Sequence, residues 1–155
     1  MRRALPIVGF VLLCLAAGWV SGLTTEAAIV PWYRPLAKPP WTPPELAFPI
    51  AWTILYVLMG IAAGLVWRGR HRGRRRAVGL FLIQLALNVL WSPVFFGLHA
   101  PAAGLAVILL LLAALVATLV AFFPVSRAAF WLMVPYLAWV GYAATLNLGI
   151  CLLNP

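Results

Sequence analysis

LAFPIAWTILYVLMGIAAGLVW, Leu46–Trp67, runs straight into RGRHRGRRR, Arg68–Arg76. The first 22 residues carry no charge, and the next nine carry six arginines. Crossing a hydrocarbon layer of about 30 Å takes about 20 apolar residues in a helix, and a sudden basic run marks where a chain leaves it. The apolar run is continuous rather than alternating, which excludes a barrel strand. This stretch therefore predicts a membrane-spanning helix with an arginine-rich exit.

Read outward from there, the chain offers four more such runs, Leu5–Leu23, Ala77–Leu98, Ala102–Phe123 and Ala128–Leu153. The breaks between runs are a proline-rich loop, the arginine run, HAP at His99–Pro101 and PVSR at Pro124–Arg127. Of the 155 residues, 66% are hydrophobic and only 8% charged, and mean hydropathy is +1.07. A water-soluble domain of that size needs more polar surface. The expectation is an all-α, multi-pass integral membrane protein, a five-helix bundle forming one domain over residues 1–155.

The charged start and apolar middle of residues 1–22 have the outline of a signal peptide. The run from Leu5 to Leu23 is nevertheless near spanning length, so it is read as a retained first helix. Net charge is +9, which in a soluble protein would suggest nucleic acid. Here it is assigned to orientation, with no nucleic-acid partner. If the N-terminus lies inside, Arg2, Arg3, the six arginines of Arg68–Arg76 and Arg127 all fall inside, nine of the eleven basic residues. In a bacterial cell membrane that bias puts the C-terminus and the proline-rich loop outside; an outer membrane follows other rules. The arginine run also suits anionic lipid head groups. Cys14 and Cys151 sit in separate apolar runs and are read as small hydrophobes rather than a disulfide. Glycine and alanine spacings (Gly18 and Gly22, Gly60 and Gly64, and Ala113, Ala117 and Ala121) allow close helix approach and permit a homodimer.

The proline-rich loop, PWYRPLAKPPWTPP at Pro31–Pro44, is neither helix nor interior strand. It reads as a stiff lid with Trp32, Tyr33 and Trp41 as flat faces and Arg34 and Lys38 as cations. Within the spans there is no Asp or Glu, which weighs against a proton-coupled pump or exporter. No Ser-His-Asp set, metal cluster, phosphate loop or Cys-x-x-Cys occurs, and His71 and His99 are too far apart for haem ligation; no metal and no required cofactor is expected. Neutral amides and aromatics do recur at helical spacing. Gln84, Asn88, Trp91 and Phe95 form one stripe within about 60°. Trp52 and Tyr56 are one turn apart, and Tyr136, Ala143 and Asn147 share a face with Trp139 about 60° to its side. Amides are costly against lipid, so these stripes should face the interior. Each amide alone is accounted for by a bond to a neighbouring helix. Together they resemble an apolar ligand pocket with a few placed polar groups. The ligand implied is flat, largely apolar and anionic at an edge, where Arg34 and Lys38 would pair with carboxylates. A porphyrin fits that description; a sterol fits only its apolar part.

Four blocks then carry a resemblance: WYRPLAKPPWTPP (Trp32–Pro44), FPIAWTILY (Phe48–Tyr56), QLALNVLWSPVFF (Gln84–Phe96) and PYLAWVGYAATLN (Pro135–Asn147). In this order and spacing the chain resembles the TspO/MBR family, the tryptophan-rich sensory proteins and the mitochondrial translocator protein. The resemblance implies five spanning helices, frequent homodimers and binding of porphyrins, sterols and flat aromatic drugs. It implies a cavity lined by Trp52, Asn88, Trp139 and Ala143 and covered by Tyr33 and the lid tryptophans. It also implies a possible activity, light-dependent porphyrin breakdown, with Trp52 and Trp139 as candidate catalytic residues. The tyrosine–arginine sterol pattern of animal members has no counterpart in LNLGICLLNP, which lowers sterol relative to porphyrin. The expectation is a receptor or carrier for tetrapyrroles, with enzyme-like degradation and transport as alternatives.

Overall fold

The computed structural model describes residues 4–155; Arg2 and Arg3, used in the orientation argument, lie outside the described residues. Five helices account for most of these residues: α1 Leu5–Ala28, α2 Ala47–Arg68, α3 Arg74–Ser92, α4 Pro101–Phe122 and α5 Arg127–Leu153. Each is long and apolar enough to cross a membrane. The helices form a ring in the order α1, α2, α5, α4, α3, closed by α1 against α3.

Several prolines sit where their missing N–H does little harm; Pro135, inside α5, is the exception. Pro101 opens α4 and Pro49 lies in the first turn of α2, where backbone N–H groups have no intrahelical acceptor. At Ile29–Tyr33 and Pro93–Gly97 the chain instead widens into a π-helical turn. Arg34 N reaches Ile29 O at 2.9 Å and Leu98 N reaches Pro93 O at 2.9 Å. The hydroxyl of Ser126 caps α5 by accepting from Ala129 N at 3.2 Å.

The first span differs from its sequence boundary. It continues ten residues past Leu23, so Trp32 and Tyr33 belong to the end of a 29-residue helical rod rather than to the lid. The polar residues after Leu23 do not stop it, because Thr24 and Thr25 return their hydroxyls to Ser21 O. The lid proper is residues 34–46.

Glycines set the closest contact in the ring. A Cβ on Gly60 would run into the backbone of Val11, and one on Gly64 into that of Ile7. The Gly60/Gly64 pair thus joins α2 to the first half of α1. Gly18 gives room to the Tyr56 ring, whereas Gly22 has nothing beside it. On α4, Ala113 and Ala117 face outward, and Thr118 returns its hydroxyl to Ala114 O. Cys14 and Cys151 are free.

Gly60→Leu should therefore lower the thermal midpoint in detergent, by the equivalent of about 1–3 kcal/mol of overpacking. Gly9→Ala, where nothing lies within 4 Å of the new methyl, should leave it unchanged or raise it slightly.

Candidate functional site

Between α1, α2, α3 and α5 lies a cavity of about 680 Å³. Its floor is a hydrogen-bonded bridge across three helices. Tyr56 of α2 donates its hydroxyl to Asn88 Oδ1 at 2.6 Å, and Asn88 Nδ2 donates to the Tyr136 hydroxyl of α5 at 3.0 Å. All three residues are buried. Above the bridge Trp52 stacks on Tyr56, with centroids 5.5 Å apart and planes at 29°. Trp139 and Ala143 of α5 form the facing wall; Ala143 contributes space, Trp139 a broad apolar face. The buried Trp139 indole N–H has no acceptor among the described residues.

The α3 wall is an aromatic stack. Trp91 lies 5.0 Å from Phe95 at 21°, and its indole N–H donates to Asn147 Oδ1 at 3.2 Å. Asn147 in turn donates to Pro101 O at 2.8 Å, so one amide ties α3, α4 and α5 together. On the other side, the Ser92 hydroxyl donates to Ser21 O at 2.9 Å and lies in contact with the Thr24 and Thr25 hydroxyls. These bonds hold α1 to α3 without exposing polar groups to lipid.

Nine of the sequence-predicted site residues line this one space: Tyr33, Trp52, Tyr56, Asn88, Trp91, Phe95, Trp139, Ala143 and Asn147. Five do not. Tyr136 ends the hydrogen-bonded floor but is fully buried behind it and does not line the space. Gln84 is fully buried one turn further from the lid than Asn88, and neither of its amide atoms has a partner among the described residues. Trp41 is 53% exposed and faces away, its carbonyl accepting from the Tyr142 hydroxyl at 2.6 Å. Trp32, expected as part of the cover, instead stacks on His99 at 4.7 Å and 21°.

The two lid cations are also placed differently from the sequence expectation. Arg34 makes a two-pronged pair with Glu45, Nε–Oε1 3.0 Å and Nη2–Oε2 2.8 Å. Lys38 donates to Arg34 O and Leu36 O at 2.8 and 3.1 Å, with its ammonium 4.8 Å from the Tyr33 ring centre. Neither lines the cavity; the carboxylates Glu26 and Glu45 do. A loop's own carbonyls and a nearby acid satisfy cations that sequence order alone leaves free. Among the described residues no cluster of His, Cys, Asp and Glu could hold a metal.

Residues 10–153 match the TspO/MBR family. The chain belongs to the TspO/MBR family. It is 45% identical over 145 residues to the tryptophan-rich protein TspO of Chlorobaculum tepidum, covering 92% of each chain. It is 40% identical to protein CrtK of Rhodobacter capsulatus, over 92% of this chain and 88% of that one. The human translocator protein is 38% identical, over 92% of this chain and 86% of its own length.

In this TspO/MBR protein the α1 wall is what sequence reasoning missed. Leu15, Gly18, Ser21, Gly22, Thr25 and Ile29 all line the cavity. Their spacing of three and four residues is a helical stripe, but small residues there also suit plain helix packing. These positions together, with Trp19 and Glu26 beside them, carry the signal that the Gly18/Gly22 pair alone does not.

The Arg34–Glu45 pair has a testable signature. Hydrogen bonding from the Arg34 guanidinium, aided by its charge and that of Lys38, holds the Glu45 carboxyl below the ordinary glutamate range. A depressed folded pKa means that the pair's contribution is present above the unfolded pKa and lost as pH falls through the folded one. The Glu45 carboxyl, followed by NMR, should titrate below an ordinary glutamate, and Arg34→Gln should move it back up. Both side chains are about half exposed, so the effect on global stability should be small.

Proposed function

We propose that this integral membrane protein is a receptor or carrier that holds a flat, largely apolar ligand of the tetrapyrrole class inside the bundle. The carrying observation is the cavity itself: an enclosed floor, broad aromatic walls from Trp52, Trp91 and Trp139, and few polar atoms. Its volume falls within the range of about 300–1,000 Å³ typical of small-molecule sites. Stacking on indole faces favours a large ring system. The free N–H of Trp139 favours a ligand with a hydrogen-bond acceptor at its edge, since an unmet buried donor costs about 1–3 kcal/mol. Relatives named translocator protein and tryptophan-rich sensory protein support the receptor or carrier role. The arginine-rich α2–α3 turn favours an orientation with that end inside a bacterial cell membrane and the lid outside.

Because Arg34 and Lys38 already have partners in the chain, selectivity for a free dicarboxylate should be weak. Titration of tryptophan fluorescence with protoporphyrin and with its dimethyl ester should give saturable quenching by both. Trp52→Ala and Asn88→Ala should weaken both ligands by about tenfold or more. Arg34→Ala combined with Lys38→Ala should change both by less, and equally. Absence of saturable quenching in the wild type would reject the tetrapyrrole reading; a selective loss of the dicarboxylate would restore a role for the cations.

A second reading, light- and oxygen-dependent breakdown of the bound porphyrin, draws on Trp52 and Trp139 facing one space. Illumination of the loaded protein under oxygen should then give a defined product, formed more slowly by Trp52→Phe and Trp139→Phe. Unchanged rates in both variants would remove this reading.

A further inference from the structure

The cavity is not closed evenly on all sides. Its exposed lining residues are Trp19, Gly22, Glu26, Glu45, Pro49 and Thr53, whereas every lining residue from α3 and α5 is buried or half-buried. All six lie on α1, at the end of the lid or in the first turns of α2. The opening is therefore a slot between α1 and α2. Its lower limit is the contact of Gly18 with the Tyr56 ring, below which Gly60 and Gly64 press against Val11 and Ile7. The Arg34–Glu45 pair ties the two helices across its upper limit.

The depth of the slot decides what it opens onto. Trp19 is the midpoint of the Leu5–Tyr33 rod, about 20 Å from its lid end at about 1.5 Å per residue. Its neighbour Gly18 packs on Tyr56, near the midpoint of α2, so the lower part of the slot lies within the membrane-spanning length. Glu26, two turns nearer the lid, marks its polar upper end. Trp19 is also 69% exposed, although tryptophan ordinarily gathers at the interfaces. The lid, by contrast, is fastened. Asn154 Oδ1 accepts from Ala37 N at 3.0 Å and its Nδ2 donates to Ala37 O at 2.9 Å. Tyr142 holds the carbonyl of Trp41, and Pro39 is buried against Gly149 of α5.

We infer that the ligand enters and leaves sideways, from the acyl-chain region of the bilayer, through the slot between α1 and α2, while the lid stays docked on α5. This rests on the reading that the cavity holds a flat apolar ligand, and it specifies that ligand further as one delivered dissolved in the membrane. Gly22 is the control point. It lines the slot, and nothing lies within 4 Å of a Cβ added there, so a side chain can start into the opening without its Cβ meeting a neighbour.

Binding of protoporphyrin dimethyl ester to the protein in lipid nanodiscs, followed by the porphyrin's own absorbance, tests this. Gly22→Ala, Gly22→Leu and Gly22→Phe should slow association and dissociation together and progressively, by about tenfold or more for the largest. Asn154→Ala combined with Tyr142→Phe, which frees the lid from α5, should leave both rates at wild-type values. The inference is overturned if the Gly22 series leaves association unchanged, or changes affinity through dissociation alone. It is also overturned if freeing the lid speeds both rates. Failure of the wild type to bind the ester at all would instead strike the ligand reading, so the two failures are distinct.

Discussion

An amide placed in hydrocarbon has only the protein from which to find partners, and the bundle is organised around that constraint at Asn88. Its oxygen takes the Tyr56 hydroxyl and its nitrogen gives to Tyr136, so one side chain of α3 fixes its distance to both α2 and α5. Losing one member would leave a buried polar group at a cost of about 1–3 kcal/mol. The same bridge is the cavity floor. Structural cohesion and the shape of the site thus depend on the same three residues, and Asn147 repeats the arrangement nearer the lid by joining α3, α4 and α5.

The first helix has two different halves. Towards the arginine end it lies in direct backbone contact with α2 across Gly60 and Gly64, where small residues let dispersion forces act at short range. Beyond Gly18 that contact ends, and α1 is held to α3 by the hydroxyls of Ser92, Thr24 and Thr25. A helix attached on different sides in its two halves necessarily leaves a gap, here facing α2. The cavity and its lateral opening follow from where the glycines stop.

The lid is better described as a fixed roof than as a flap. Its prolines restrict the backbone, and its bonds run to α5 through Asn154 and Tyr142. Lys38 and Arg34 serve the loop itself, capping its carbonyls and closing its two ends. Their charges help shape the roof, leaving the carboxylates Glu26 and Glu45 at the cavity edge.

The five helices, the aromatic and amide stripes of α2, α3 and α5, and nine of the lining residues were legible in the sequence. Hydrocarbon admits few backbone solutions, and helical periodicity then dictates which side chains share a face. Other features were settled by tertiary contacts. Gln84 shares the stripe of Asn88 but falls below the floor, because the floor's height is set by tyrosines on two other helices. Trp32 left the lid because α1 continues through a widened turn, and its ring found His99 in the α3–α4 connection. Arg34 and Lys38 turned from the cavity because their partners, Glu45 and the loop's own carbonyls, come close only once the loop is folded. Periodicity along one helix assigns a direction, but depth and charge partners depend on where the neighbouring helices stand, and only packing supplies that.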